Sequence, residues 1–273
     1  PTFVSLVDDT GMGADVVEKL SRHKVDTRFI RRRPDGMGTW LAIFDNDGDV
    51  AASISRRPDL TPLCDTLDEC GDEIFRDCDS IVLEIDMDKE IVKRVYHYAQ
   101  KYQKRVYAVV SNMSIAVERR DLLQATDCFV CNQLEAGILF AEDYHEKTPE
   151  EMCAVLAERV LQAKIPSMVV TMGALGSVYA SQSGESGICP AQKVHVRDTT
   201  GAGDAFFAGV AIGLTYGKTL EAACRIGTRL AASVICTAEN VCPRFLWISR
   251  AIRSRRSFQR GGTLGSSSRS TAA

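Results

Sequence analysis

An α/β fold, with a mostly parallel sheet covered by helices on both faces, is predicted by three observations on the 273-residue chain. Apolar runs of strand length alternate with longer amphipathic segments through most of the sequence. The length and the ordinary composition, 45% hydrophobic and 25% charged, allow a sizeable buried core. Near the start, a polar hairpin of alternating residues stands out as a small β lid beside that sheet.

Taken in order, FVSLV at 3–7 reads as a strand and 13–21 as a helix after the Asp-Asp-Thr-Gly turn. TRFI at 27–30 and TWLAIFD at 39–45 follow as strands, and Asn46-Asp47-Gly48-Asp49 turns the chain into VAASIS at 50–55. These segments place the lid at about 27–56. A loop with Pro58 and Pro62 leads to the strand SIVLEI at 80–85 and a helix at 89–102. RVYAVV at 105–110 and CFVCN at 128–132 are strands, and 150–163 is a helix. SMVVTM at 167–172, SVYA at 177–180 and KVHV at 193–196 complete the strands, before helices at 203–216 and 220–235. In such a fold ligands bind beyond the carboxyl ends of the strands.

Several partner classes are disfavoured. No stretch approaches the ~20 apolar residues of a membrane-spanning helix, so no membrane partner is expected. The start of the chain has no basic segment followed by an apolar one, and ten scattered cysteines read as reduced thiols, so a cytoplasmic setting is expected. Cys128 and Cys131 have CxxC spacing but lie in an apolar strand, which buries thiols. The seven arginines after Pro243, with no lysine or acid, leave the first 243 residues at −10 against −3 for the whole chain. That acidity disfavours nucleic acid. The stretch 244–273 ends in Gly, Ser, Thr and Ala, the composition of a disordered or non-native tail on a domain at 1–243. His23, His97, His145 and His195 show no ligand spacing.

The sharpest feature is Asp198-Thr199-Thr200-Gly201-Ala202-Gly203-Asp204-Ala205-Phe206-Phe207-Ala208-Gly209. Small residues at 201–203 let a ligand approach the backbone, and the helix that begins there offers unpaired N–H groups and a positive dipole end. Asp204 in the first turn either favours that helix end or serves as a base beside an anion hole, the pairing that phosphoryl transfer to an alcohol requires.

DTTGAGDAFFAG is similar to the C-terminal signature of the ribokinase-like (PfkB) carbohydrate and nucleoside kinases. VVTMGALGS resembles that family's nucleotide-holding strand and turn, and Asn132-Gln133-Leu134-Glu135 resembles its NxxE element. The resemblance runs over about 3–243 and implies a ribokinase-like three-layer sandwich that uses ATP, Mg2+ and a monovalent cation such as K+. By the same resemblance Asp204 is the general base, and Gly201, Ala202 and Gly203 form the anion hole. Thr171, Gly173 and Gly176 hold the nucleotide, Thr228 lies by the adenine, and Asn132 with Glu135 organises magnesium and phosphate through water. Glu84 falls where ribokinases place an acid that touches substrate. Asp198 and Thr200 match cation ligands, with further carbonyls expected near Val234 and Thr237. Plainer readings stand beside these: Asn132 and Glu135 as a capping box, the glycines as turn residues, Glu84 as an exposed strand end, and Asp198 as an Asx turn.

The family's first strand, its substrate-binding Asp and its Gly-Gly-x-x-x-Asn loop have no counterpart here, and the basic tail stands in place of its last strand. A truncated kinase domain is therefore expected, with a non-catalytic remnant that binds nucleotide or a partner as the second reading. A dinucleotide-dependent oxidoreductase is weaker, because Gly11 and Gly13 lack the third glycine of the fingerprint. GTWLAIFDNDGDV and SGESGICPA look somewhat like pseudouridine kinases, so the expected substrate is a nucleoside or pentose, pseudouridine before ribose. Trp40 and Phe44, on one face of the hairpin strand, could pack on substrate, but are expected to pack in the core or to pair the lid of one copy with another in a homodimer.

Overall fold

The computed structural model describes residues 1–44, 50–110 and 114–237. The turn expected at 46–49 and the tail at 244–273 lie outside the described residues. The elements are β1 (Ser5–Val7), α1 (Gly11–Arg22), β2 (Ile30–Arg32), β3 (Thr39–Phe44), β4 (Val50–Arg56), α2 (Leu63–Arg76), β5 (Ser80–Glu84) and α3 (Lys89–Lys101). There follow β6 (Arg105–Val109), the short α4 (Ser114–Glu118) and α5 (Arg120–Gln124), β7 (Cys128–Asn132), α6 (Gln133–Phe140), α7 (Pro149–Ala163) and β8 (Ser167–Thr171). A 3-10 turn (Gly173–Leu175), β9 (Ser177–Ser181), β10 (Ser186–Cys189), α8 (Ala202–Thr215) and α9 (Leu220–Ile235) complete the described residues.

Among the described residues the main sheet has six strands in the order β10-β9-β8-β7-β6-β5. β5 to β8 run parallel, while β9 is antiparallel to both of its neighbours. β1 and β2 form a separate parallel pair, and β3 and β4 an antiparallel hairpin that joins neither sheet.

Period-two alternation divides the sheet between two helical layers. Val106, Ala108, Phe129, Cys131, Met168 and Val170 point into one core, which Leu67, Ile91, Val95, Leu156 and Val160 of α2, α3 and α7 fill from the far side. Tyr107, Cys128, Val130, Val169 and Tyr179 point the opposite way, against Phe206, Phe207 and Val210 of α8 and Ala223 and Cys224 of α9. This is the three-layer sandwich expected from the sequence. Cys128 and Cys131 thus fall on opposite faces, and a CxxC redox pair is ruled out by geometry. Burial pushes the Cys128 thiol up to about 12 and the Cys131 thiol well above its ordinary value.

α8 and α9 cross at backbone contact: a Cβ added at Gly209 would stand 2.6 Å from the Cα of Gly227. Only glycine permits that approach.

Several boundaries differ from the sequence reading for identifiable reasons. KVHV is not a strand: β10 at Ser186–Cys189 completes the antiparallel return instead, and Pro190, which has no N–H, ends it. Val196 is left exposed in an irregular segment. TRFI is a strand only from Ile30, because the Asp26 carboxylate accepts from the Arg28 amide at 3.1 Å and Ile30 N–H closes a turn onto Thr27. The loop after Pro58 holds a full helix, α2, that starts directly after Pro62. Trp40 is not packed in a core but is exposed in the hairpin.

Candidate active site at the carboxyl edge of the sheet

Parallel pairing brings the ends of four strands to one edge. Asn132 at the end of β7 is in register with Thr171 at the end of β8, and Glu84 at the end of β5 with Val109 of β6. Ser177, which opens β9, pairs with Thr171 on one side and with Cys189 on the other.

The start of α8 is carried to the same edge. Its last residue, Thr215, shares a 2.7 Å hydroxyl hydrogen bond with Ser80 at the opposite end of β5. Fourteen helical residues at about 1.5 Å each then span roughly the height of the sheet. Gly201, at φ +79°, turns the chain into the helix, and no side chain caps it. Ala202 N–H donates to the Thr199 carbonyl and Ala205 N–H to that of Gly201. The N–H groups of Gly203 and Asp204, also in the first turn, have no partner within the helix. The Cα of Gly203 faces open space, and Asp204 beside it is exposed.

The preceding loop is tied to the end of α9: the Ile235 carbonyl accepts from Arg197 N–H at 2.8 Å and from Asp198 N–H at 3.4 Å. Asp198 also makes the Asx turn, accepting from Thr200 N–H at 2.8 Å, and these bonds hold its carboxyl below the usual carboxylate range. The Val234 carbonyl is engaged by the amide and the hydroxyl of Thr237. Ile235, which the sequence reading did not single out, supplies the carbonyl that ties this loop to the end of α9. A helix-end carbonyl leaves no signature in side-chain identity.

The glycine turn between β8 and β9 is closed by Met172 N–H donating to the Gly176 carbonyl at 2.8 Å and Gly176 N–H to that of Gly173 at 3.1 Å. Gly173, at φ +56°, faces open space on one side of the turn. Gly176, at φ +100°, lies against the Cys189 carbonyl. Two glycine-faced openings, at Gly173 and Gly203, thus flank the strand ends, a cradle that side chains would fill. Thr228 is buried, its hydroxyl donating to the Cys224 carbonyl at 3.0 Å and lying 3.4 Å from Cys189 Sγ. This is the flank of the turn rather than its open side.

Asn132 and Glu135 form the capping box of α6. The Asn132 side chain accepts from Glu135 N–H at 2.8 Å, and the Glu135 carboxylate accepts from Asn132 N–H at 2.7 Å. Burial pushes the Glu135 carboxyl up, against the Asn132 amide, and the nearby Glu84 carboxylate raises it further. The Glu84 charge thus acts on Glu135 across the strand ends. Among the described residues no three acidic, His or Cys side chains converge on a metal position. Two carboxylates without a third fit a divalent ion that keeps most of its water and takes its other ligands from phosphate.

Arg57, the first residue after β4, donates to Asp86 at 2.6 Å, and Asp86 N–H donates to Glu84 Oε1 at 2.9 Å. The sequence reading passed over this pair, although Glu84 and Asp86 show the period-two spacing of acids at a strand end.

The model of the pfkB family carbohydrate kinases matches residues 1–242. The chain is 33% identical over 240 residues to a guanosine-inosine kinase of Exiguobacterium acetylicum, covering 87% of this chain and 78% of that protein. Among solved structures, adenosine kinase from Sinorhizobium meliloti aligns with a TM-score of 0.74 at 18% identity, over 92% of this chain and 76% of that one. Arabidopsis thaliana ribokinase, solved with ribose and ATP, aligns with a TM-score of 0.72 at 21% identity, over 87% and 76%. These two likenesses bear on the fold. Among the described residues, no helix is long and apolar enough to cross a membrane.

Proposed function

We propose, from the premise that this chain belongs to the pfkB family of carbohydrate kinases, that it transfers the terminal phosphoryl group of ATP to a hydroxyl of a nucleoside. The observation that carries this reading is the uncapped start of α8, with Asp204 in its first turn and open space at Gly203. Asp204 takes the proton of the acceptor hydroxyl as its oxygen bonds to phosphorus, and the bond from phosphorus to ADP breaks. The amides at Gly201 and Gly203 hold the charge on the migrating group, while Ala202 N–H, also expected in the anion hole, is taken up by the Thr199 carbonyl. Gly173 and Gly176 shape the turn that takes the nucleotide, with Thr171 at its base and Thr228 on its flank. Glu84 faces the acceptor, and Asn132 with Glu135 would hold magnesium through water, where the ion would supply positive charge against the phosphates. A cytoplasmic setting suits a kinase that draws on ATP and carries free thiols. The exposed Trp40, Leu41, Ile43 and Ile54 of the hairpin are the surface offered to a second copy.

The 33% identity to a guanosine-inosine kinase supports a nucleoside acceptor over a free pentose. A panel of guanosine, inosine, pseudouridine, ribose and fructose 6-phosphate in an ADP-release assay tests this. The expected result is release with one or more nucleosides above that with ribose. Preference for fructose 6-phosphate would overturn the substrate class, and ATP binding with no acceptor-dependent release would make the chain a nucleotide-binding remnant.

Asp198 and Thr200, braced against the end of α9 near Val234 and Thr237, are the proposed monovalent-cation position. Hard oxygen ligands there would stiffen the loop that leads into the anion hole. Potassium is expected to raise turnover several-fold relative to a bulky organic cation, and Asp198→Ala to abolish the stimulation. Equal rates in both buffers would leave Asp198 with its turn alone.

A further inference from the structure

The β3–β4 hairpin pairs with neither of the other sheets, so its placement relative to the main sheet depends on how its base is held. At that base, Arg56 reaches the Met37 carbonyl at 3.5 Å and Asp35 at 3.7 Å, both on the approach to β3. These contacts close the hairpin's base on itself. Arg57 instead crosses to the main sheet, its guanidinium 2.6 Å from the Asp86 carboxylate. The Arg57 side chain is 58% exposed and that of Asp86 only 5%. A carboxylate so enclosed gains more from a cation at contact distance than one in open water does, because little solvent competes for it. Asp86 in turn donates its amide to Glu84 Oε1 at 2.9 Å. A continuous polar chain thus runs from the root of the hairpin through Asp86 to the end of β5.

We propose that the Arg57–Asp86 pair is a latch that sets the hairpin over the acceptor and fixes the orientation of Glu84, making Arg57 a positioning residue of the acceptor site. The acceptor part of this inference rests on the kinase reading; the latch itself does not. When the pair is formed, the hairpin root and the Asp86 amide are held together, and that amide fixes one carboxylate oxygen of Glu84. When the pair opens, the hairpin loses its tie to β5, and the loop at 85–88 that carries Asp86 loses its anchor to the hairpin.

The test compares the wild-type chain with Arg57→Ala, Arg57→Lys and Asp86→Asn. Backbone hydrogen exchange over 50–56 and 80–88 reports the latch without any ligand, and calorimetric titration with inosine and with ATP reports the two halves of the site. Arg57→Ala is expected to speed exchange in both segments by about fivefold or more. It should weaken inosine binding roughly tenfold, with ATP affinity unchanged and Arg57→Lys recovering most of the loss. Asp86→Asn should behave as Arg57→Ala does. Unchanged exchange in Arg57→Ala would overturn the latch. Equal losses for inosine and ATP together with a lower melting temperature would overturn the positioning role, since a merely structural contact would act on both. Failure of the wild-type chain to bind any nucleoside acceptor would count against the kinase reading, while the exchange data would still decide the latch.

Discussion

Replacing Asp204 by asparagine is expected to lower turnover by roughly 10²- to 10⁴-fold, the range that a positioned general base contributes. Asparagine keeps the size of the side chain and cannot accept the hydroxyl proton. Asp204 is exposed in the first turn of α8. Its loss should therefore cost the fold only the helix-dipole contribution of about 0.3–1 kcal/mol. ATP affinity should change by less than about twofold, because the groups expected to hold the nucleotide are elsewhere on the edge and the loss belongs to the chemical step. Single-turnover rates and ATP titration on the same preparation check both halves. A variant that turns over normally would remove Asp204 from the chemistry and leave it as a helix-end carboxylate.

The second large effect is expected at Gly176. Its backbone, at φ +100° and ψ −131°, is a conformation that costs other residues about 1–3 kcal/mol. A Cβ there would also stand 2.2 Å from the Cys189 carbonyl oxygen and 2.7 Å from Ala191 N, both backbone atoms with little freedom to move. Gly176→Ala should lower the melting temperature by several degrees and abolish measurable ATP binding by forcing β9 and β10 apart where the turn is built. Gly173→Ala separates the causes. That position meets nothing within 4 Å, so the substitution costs stability only through its left-handed φ of +56°, about 1–2 kcal/mol. It should still weaken ATP, because the added methyl enters the open side of the cradle. If Gly173→Ala bound ATP as the parent does, the nucleotide would not lie against that turn.

Much of the local geometry at this edge was legible because it lies in short motifs whose residue types are set by the backbone. Gly201 at φ +79°, Gly176 at φ +100° and the Asn132–Glu135 capping box are local requirements that a sequence must write out. The long buried strands were legible too, since CFVCN and SMVVT carry their apolar runs without interruption. What stayed hidden depended on partners distant in sequence. KVHV has the composition of a strand, yet the edge of the sheet is taken by Ser186–Cys189, whose register with β9 leaves no vacancy there. Helix α2 carries a helical spacing in Leu63, Leu67, Ile74 and Phe75, but the prolines before it drew the reading towards a loop. Proline is in fact compatible with a helix start, where its missing N–H costs nothing. The Arg57–Asp86 pair joins residues 29 positions apart, and only the meeting of the hairpin root with β5 reveals it.

The thiols on the two faces of the main sheet make the protein its own reporter of breathing. A maleimide or iodoacetamide reacts with a thiolate, and burial keeps Cys128, Cys131 and Cys224 protonated as well as out of reach. Cys128 and Cys224 lie where α8 and α9 cover the sheet, and Cys131 lies in the opposite core. Labelling at each therefore requires its own layer to lift, and the relative rates measure which side of the sandwich opens more often. Cys70, half-exposed on α2, supplies the reference for a thiol that waits on no such event.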